Sequence, residues 1–85
     1  MNEPAITLYV RDACTLCDDA EATLRAILRE RGERAISIVN IETDDDLHRR
    51  LVADIPAIEA AGKLLANANG RLRIERFIDE ALTQR

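Results

Sequence analysis

Cys14 and Cys17 are the only cysteines in this chain of 85 residues. They follow a short apolar run that ends at Val10, and a helical pattern begins around them. If Cys17 lies in the first helical turn, the two side chains share one face, roughly 5–6 Å apart at Cβ, and can close as a disulfide. A helix N-terminus also favours the thiolate, which is the form that attacks disulfides. This spacing predicts redox chemistry or metal binding more than a structural bridge.

Composition and charge exclude several classes of partner. The chain has one Tyr, one Phe, no Trp and a net charge of −4, so it offers neither aromatic stacking surfaces nor a basic surface for nucleic acid. The first four residues carry no cationic segment or apolar core of a secretory signal. Since no apolar stretch approaches the roughly 20 residues needed to span a membrane, we expect no membrane partner. The sequence predicts a single cytoplasmic domain over residues 1–85, which acts as a monomer.

Hydrophobic periodicity predicts seven elements in the order β-α-β-α-β-β-α. Two strands, the second and the first, are apolar on both faces, as buried central strands are. Thr43 is predicted as the N-cap of the second helix, because three aspartates follow it. The predicted strands are Ala5–Val10, Ala35–Ile41, Ala57–Ala60 and Lys63–Ala66, and the longer helices are Cys14–Arg31 and Arg71–Thr83.

These elements predict an α/β fold with a mixed four-stranded sheet and three helices. The first β-α-β unit implies a parallel pair with a right-handed crossover, and the turn at Ala61-Gly62 predicts an antiparallel hairpin. Helices are expected on both faces, because the strands are apolar throughout. The inward positions predicted for the first helix are Leu16, Ala20, Leu24, Ile27 and Leu28.

Three motifs fall at informative places in this order. Cys14-Thr15-Leu16-Cys17 follows the first strand, Ile55-Pro56 precedes the third strand, and Gly70-Arg71-Leu72 precedes the last helix. With these features the chain resembles thioredoxin-fold proteins of the glutaredoxin type, in which a cis-proline faces the redox motif. More narrowly, Asp18-Asp19-Ala20 after Cys17 resembles a small glutaredoxin-like family with Cys-x-Leu-Cys followed by two acidic residues and Ala.

This resemblance implies disulfide reduction by dithiol exchange. Cys14, at the exposed end of the helix, is expected to attack, and Cys17 is expected to resolve the mixed disulfide. The expected substrate is a disulfide-containing protein or a small thiol compound, with no resident cofactor and with glutathione as a possible reductant. The residues expected to contact substrate are Arg11, Thr15, Leu16, Ile55 and Pro56.

Two alternatives stay open on the residues alone. The chain could be a thioredoxin-fold binding domain without catalysis, or a zinc or iron–sulfur centre could be shared at Cys14 and Cys17 across a dimer. His48 is the only histidine, and with the cysteines it supplies three ligands where structural zinc takes four. We therefore predict no metal ligands within one chain, and we expect His48 to be a surface residue.

Overall fold

The structure is a computed structural model that describes residues 6–33 and 35–83. The predicted element order is confirmed, with one turn of 3-10 helix, Ile41–Thr43, added before the second α-helix. Ala5 of the predicted first strand lies outside the described residues. The strands are β1 (Ile6–Val10), β2 (Ser37–Asn40), β3 (Ala57–Ala60) and β4 (Lys63–Leu65), and the α-helices are α1 (Thr15–Glu30), α2 (Asp45–Leu51) and α3 (Arg71–Thr83).

The sheet has the order β2-β1-β3-β4. β1 pairs with β2 in parallel and with β3 antiparallel, and β3 pairs antiparallel with β4. The predicted mixed four-stranded sheet with three helices is therefore confirmed. In this register Val10 lies beside Asn40, and Tyr9 lies beside Ala57. The ends of β1 and β2 and the start of β3 thus share one edge of the sheet, here named the cysteine edge because the chain continues from Val10 to Cys14.

Helices α1 and α3 cover one face of the sheet and form the main core. Their buried apolar positions pack against inward residues of β1 and β3. Leu16, predicted to belong to this apolar face, is instead 52% exposed, because it lies in the first turn of α1, ahead of the part that packs on the sheet. The core includes Ile6, Leu8, Leu24, Ile27, Leu28, Ile58, Ile74 and Ile78.

The end of α1 is fixed by its backbone and by ion pairs to α3. Gly32, the predicted stop, has φ +79°, and the Glu33 N–H donates to the Leu28 carbonyl at 2.8 Å, which closes the last turn. Arg31 contacts Asp79 through two nitrogens, at 2.5 and 3.0 Å, and Glu75 at 3.3 Å. The Arg31 guanidinium holds the pKa of the Asp79 carboxyl below its usual value. These pairs join α1 to α3 at the end of α1 opposite the cysteines.

The connection from β2 to α2 differs from the prediction. β2 begins later than expected and ends at Asn40, whose side chain accepts the Glu42 N–H at 2.8 Å and turns the chain into the 3-10 helix. Asp44, and not Thr43, is the N-cap of α2, because its carboxylate accepts the N–H groups of Asp46 and Leu47. The Thr43 hydroxyl donates to the Asn40 carbonyl at 2.8 Å instead.

The opposite face of the sheet carries a polar pair beside α2. The Tyr9 hydroxyl donates to Glu59 Oε1 at 2.6 Å, and the two side chains line a shallow cleft with Leu51 of α2. The hydrogen bond to the Glu59 carboxylate, followed by partial burial, raises the pKa of Tyr9 above its ordinary value of 10.0. The nearby Arg50 opposes the shift without reversing it.

Replacing Glu59 with Gln is expected to lower the pKa of Tyr9 toward 10, because the anionic acceptor becomes neutral. Tyr9 is the only tyrosine and the chain has no tryptophan, so the phenolate absorbance in an alkaline titration reports on this residue alone. Because the pKa of Tyr9 is higher in the folded protein than in the unfolded chain, its ionisation equilibrium stabilises the fold below pH 10. This stabilisation is lost as the pH rises through the pKa of Tyr9 in the folded protein. Glu80→Gln is the control, and an unchanged Tyr9 midpoint in Glu59→Gln would contradict the assignment.

Candidate redox site

The cysteine pair lies where α1 begins. Cys14 is the N-cap, with extended backbone angles (φ −123°, ψ 100°), and its Sγ accepts the backbone N–H of Cys17 at 3.1 Å. The Cα atoms are 5.2 Å apart and the two sulfurs are bonded as a disulfide. Cys14 is half-buried, whereas Cys17 is only 2% exposed. Cys14 is therefore the more accessible of the two cysteines, and Cys17 is shielded from solvent.

The cysteine edge also carries the segment before β3. The Ile55–Pro56 peptide bond is cis. The Ala68 N–H donates to the Pro56 carbonyl at 2.7 Å, and the Asn67 N–H donates to the Asp54 carbonyl at 2.8 Å. Two main-chain hydrogen bonds thus hold the loop that follows β4 against the proline segment. Because Ala57 pairs with Tyr9, the register places this segment at the same edge of the sheet as the loop leading to Cys14.

The residues predicted to contact substrate divide between two segments of this edge. Arg11 is the first residue of the loop after β1, and Thr15 is the first residue of α1. Both are exposed, as is Leu16. Ile55 is half-buried and Pro56 is buried, so the second segment presents less side-chain surface than the first. The topology brings all five to the cysteine edge.

Three residues that hold the loop were not singled out from the sequence as a unit. Asn40 Nδ2 donates to Asp12 Oδ1 at 2.8 Å, the Glu42 N–H donates to Asn40 Oδ1 at 2.8 Å, and the Asp12 N–H donates to Glu42 Oε1 at 3.4 Å. We name this closed set of hydrogen bonds the anchor ring (Asp12, Asn40 and Glu42). One signal for it was available: asparagine is depleted within strands, so Asn40 indicated an end to β2 beside the end of β1.

No other ligand cluster competes with the cysteines in the described part of the chain. Among residues 6–33 and 35–83, no group of three or more His, Cys, Asp or Glu side chains is arranged to hold a metal ion. His48 is exposed on α2. Within the same residues, every helix is too short or too polar to cross a membrane.

The fold and the cysteine pair define a class of protein. A mixed sheet of order β2-β1-β3-β4 with a Cys-x-x-Cys motif at the start of α1 is the arrangement of thioredoxin-fold proteins. Comparison with known families matches residues 5–83 to the family described as "Glutaredoxin-like domain (DUF836)". Because this match spans nearly the whole chain, the protein belongs to that glutaredoxin-like family. The narrower subgroup with two acidic residues after the motif stays a prediction.

Solved structures with the same fold agree. The crystal structure of XcR50 from X. campestris, a Northeast Structural Genomics target, has 32% sequence identity and a TM-score of 0.75, and the match covers 91% of this chain and 99% of that one. The solution structure of XcR50 gives 32% identity and a TM-score of 0.73, with 91% and 95% covered. The comparison with curated proteins gave no match.

Proposed function

We propose that this protein is a cytoplasmic thiol–disulfide oxidoreductase that reduces disulfides by dithiol exchange, with Cys14 attacking and Cys17 resolving. The observation that carries the proposal is the unequal placement of the two sulfurs. Cys14 caps α1, is half-buried, and accepts the Cys17 N–H on its Sγ, whereas Cys17 is buried. An accessible nucleophile with a shielded second thiol one turn away is the arrangement that exchange through a mixed disulfide needs.

The reaction proceeds in two displacements. The Cys14 thiolate attacks one sulfur of the substrate disulfide, which forms a mixed disulfide and releases the first substrate thiolate to take up a proton. Cys17 then loses its proton and attacks the Cys14 sulfur, which releases the second substrate thiol. Two electrons pass to the substrate, and the Cys14–Cys17 disulfide seen in the structure is the product form of the protein.

The local charges act in opposite directions on Cys14. The Cys17 N–H and the start of the 16-residue α1 favour the thiolate. Asp12, Asp18 and Asp19 disfavour a further negative charge, but all three are exposed, and water and salt weaken their effect. The direct hydrogen bond to sulfur is the shorter-range interaction, so we expect thiolate to form more readily on Cys14 than on free cysteine.

The substrate surface is proposed to consist of Arg11, Thr15, Leu16, Ile55 and Pro56. Leu16 supports this role, because a leucine 52% exposed between two cysteines offers apolar contact where a substrate disulfide must arrive. The Ile55-Pro56 segment supplies backbone next to the sheet for an extended chain. The proposed partners are a disulfide-containing protein or a small thiol compound, the protein acts as a monomer, and glutathione is a candidate for returning the Cys14–Cys17 disulfide to the dithiol.

Turnover tests the proposal. The protein is mixed with cystine, or with a disulfide-bonded protein, and with glutathione or dithiothreitol as reductant, and the loss of the substrate disulfide is followed by chromatography and compared with the rate without protein. We expect acceleration with at least one pair of reagents and its loss after iodoacetamide treatment of the reduced protein. No acceleration with any pair of reagents would refute the proposal. Zinc found by metal analysis, or the visible absorbance of an iron–sulfur centre, in the same preparation would favour the shared metal centre.

A further inference from the structure

We propose that the anchor ring (Asp12, Asn40 and Glu42) sets the reactivity of Cys14, and that it does so by position and not by the charge of Asp12. The ring holds the loop in front of Cys14 against the end of β2. Its members are positioning residues, since they act on the sulfur through the backbone. This inference rests on the proposed disulfide exchange and deepens it, because it names what prepares the attacking thiol.

The loop between β1 and α1 needs an external support. Three residues lead from β1 to the N-cap Cys14, and the last of them, Ala13, has φ +53°, a left-handed conformation that is unfavourable for a residue with a Cβ. Such backbone persists where its surroundings hold it. Asp12, one residue before Ala13, is bound through both its side chain, which accepts from Asn40, and its backbone N–H, which donates to Glu42. Asn40 is the last residue of β2, which pairs with β1, and Glu42 lies two residues beyond it. Both attachments therefore lead to a fixed part of the sheet.

The loop conformation determines what the Cys14 sulfur meets. In the disulfide form, Cys14 has φ −123° and ψ 100°, and its Sγ accepts the Cys17 N–H at 3.1 Å. In the reduced form the same loop conformation keeps this donor beside the thiolate. A hydrogen bond donated to a sulfur stabilises its anionic form. If the ring is broken, Ala13 and Cys14 gain other conformations in which this donor is lost. The thiolate is then less favoured at neutral pH, although no charge near the sulfur has changed sign.

Charge and position make opposite predictions for Asp12. The charged residues of the loop, of the first five residues of α1 and of the 3-10 helix are Arg11, Asp12, Asp18, Asp19 and Glu42, and all are exposed. If charge controlled the thiol, removal of the Asp12 carboxylate would favour the thiolate. If position controls it, removal of the Asp12 acceptor disfavours the thiolate, because Asn40 loses its partner and the loop its support.

The experiment measures the rate of Cys14 alkylation against pH in a Cys17→Ser background. Asn40→Ala and Asp12→Ala break the ring, and we expect each to raise the midpoint by about 0.5–1 pH unit, the size of one net hydrogen bond. Asp12→Asn keeps the Oδ1 acceptor for Asn40 and removes only the charge. We expect no rise of the midpoint in Asp12→Asn.

A second readout uses the protein with both cysteines. Ring-breaking variants equilibrated with glutathione and its disulfide should be more reducing than the parent, because the reduced form loses thiolate stabilisation. Asp44→Ala is the matched control, since it removes the N-cap of α2 on the same connection without touching the ring. Its alkylation midpoint should equal that of the parent.

Two results would overturn the inference: an unchanged midpoint in Asn40→Ala, or equal downward shifts in Asp12→Ala and Asp12→Asn. The Asp12 pair decides the question even if Asn40→Ala does not fold. Failure of the proposed function looks different. It appears in the parent as absent turnover with a Cys14 midpoint at or above about 8.5, the value for free cysteine.

Discussion

Replacing Cys14 with Ser is expected to reduce disulfide turnover to the rate measured without protein. Cys14 is the accessible sulfur and the one that receives the Cys17 N–H, so its loss removes the nucleophile while Cys17 stays buried. Replacing Cys17 with Ser is expected to have a different effect. The first displacement still occurs, and the protein accumulates as a mixed disulfide on Cys14, which intact-mass measurement detects as the mass of the added substrate half.

The two serine variants serve as controls for each other. Each variant replaces one of the two bonded sulfurs with oxygen, so both variants lose the Cys14–Cys17 disulfide and its effect on stability. Circular dichroism should show both to be folded. The proposed order of attack would be contradicted by an adduct on Cys17 in Cys14→Ser, or by the absence of any adduct on Cys14 in Cys17→Ser after treatment with a large excess of a small disulfide.

Replacing Leu24 with Ala is expected to destabilise the domain by about 2–5 kcal/mol, the usual range for truncating a buried leucine. Leu24 is fully buried in α1 and belongs to the core shared with β1, β3 and α3. A domain of this size has a free energy of unfolding of about 4–13 kcal/mol. One substitution can therefore remove a large part of the total, and the redox site would be lost with the fold.

Denaturant unfolding measures this effect. Leu72→Ala is the matched control, because Leu72 is also a helical leucine but is 61% exposed. Alanine has the higher helix propensity at both positions, so propensity does not explain a loss in either. We expect a clearly lower midpoint for Leu24→Ala and little change for Leu72→Ala. Equal midpoints in the two variants would show that the α1 face contributes less than its burial implies.

Most of the fold was predictable, because it depends on patterns that are local in sequence. The predicted bounds of α3, Arg71–Thr83, and of β3, Ala57–Ala60, agree with the structure. In both cases a turn signal, Gly70 or Pro56, stands directly before a regular apolar pattern. The parallel pairing of β1 with β2 and the antiparallel pairing of β3 with β4 were also predicted, since a β-α-β unit and a tight hairpin each allow few arrangements.

The errors lie where two local choices compete. Thr43 and Asp44 are both acceptable N-caps, and which one is used depends on where the 3-10 turn after Asn40 ends. β2 was predicted to continue through Ile41 because Ile41 is apolar. The structure buries Ile41 but places it in the 3-10 turn. Burial alone does not separate a strand residue from one in a tight turn beneath a helix.

The site was predictable in its chemistry but not in its supports. Cys14 and Cys17 are close in sequence, so their geometry follows from helix periodicity. The contacts that hold the loop connect Asp12 to Asn40 and Glu42, 28 and 30 residues away. The ion pairs between Arg31 and Asp79 span 48 residues. Such pairs depend on how elements pack, and a single sequence carries no signal that selects one partner among many charged residues.

The main-chain bonds from Asn67 and Ala68 to the Asp54–Pro56 segment have a consequence for which substitutions this surface can accept. They use backbone atoms, so they do not depend on which side chains the neighbouring positions carry. Thr15, Leu16 and Asn69 are exposed around this frame. Substitutions at these positions can therefore change the surface around the cysteines without removing the main-chain bonds that hold it.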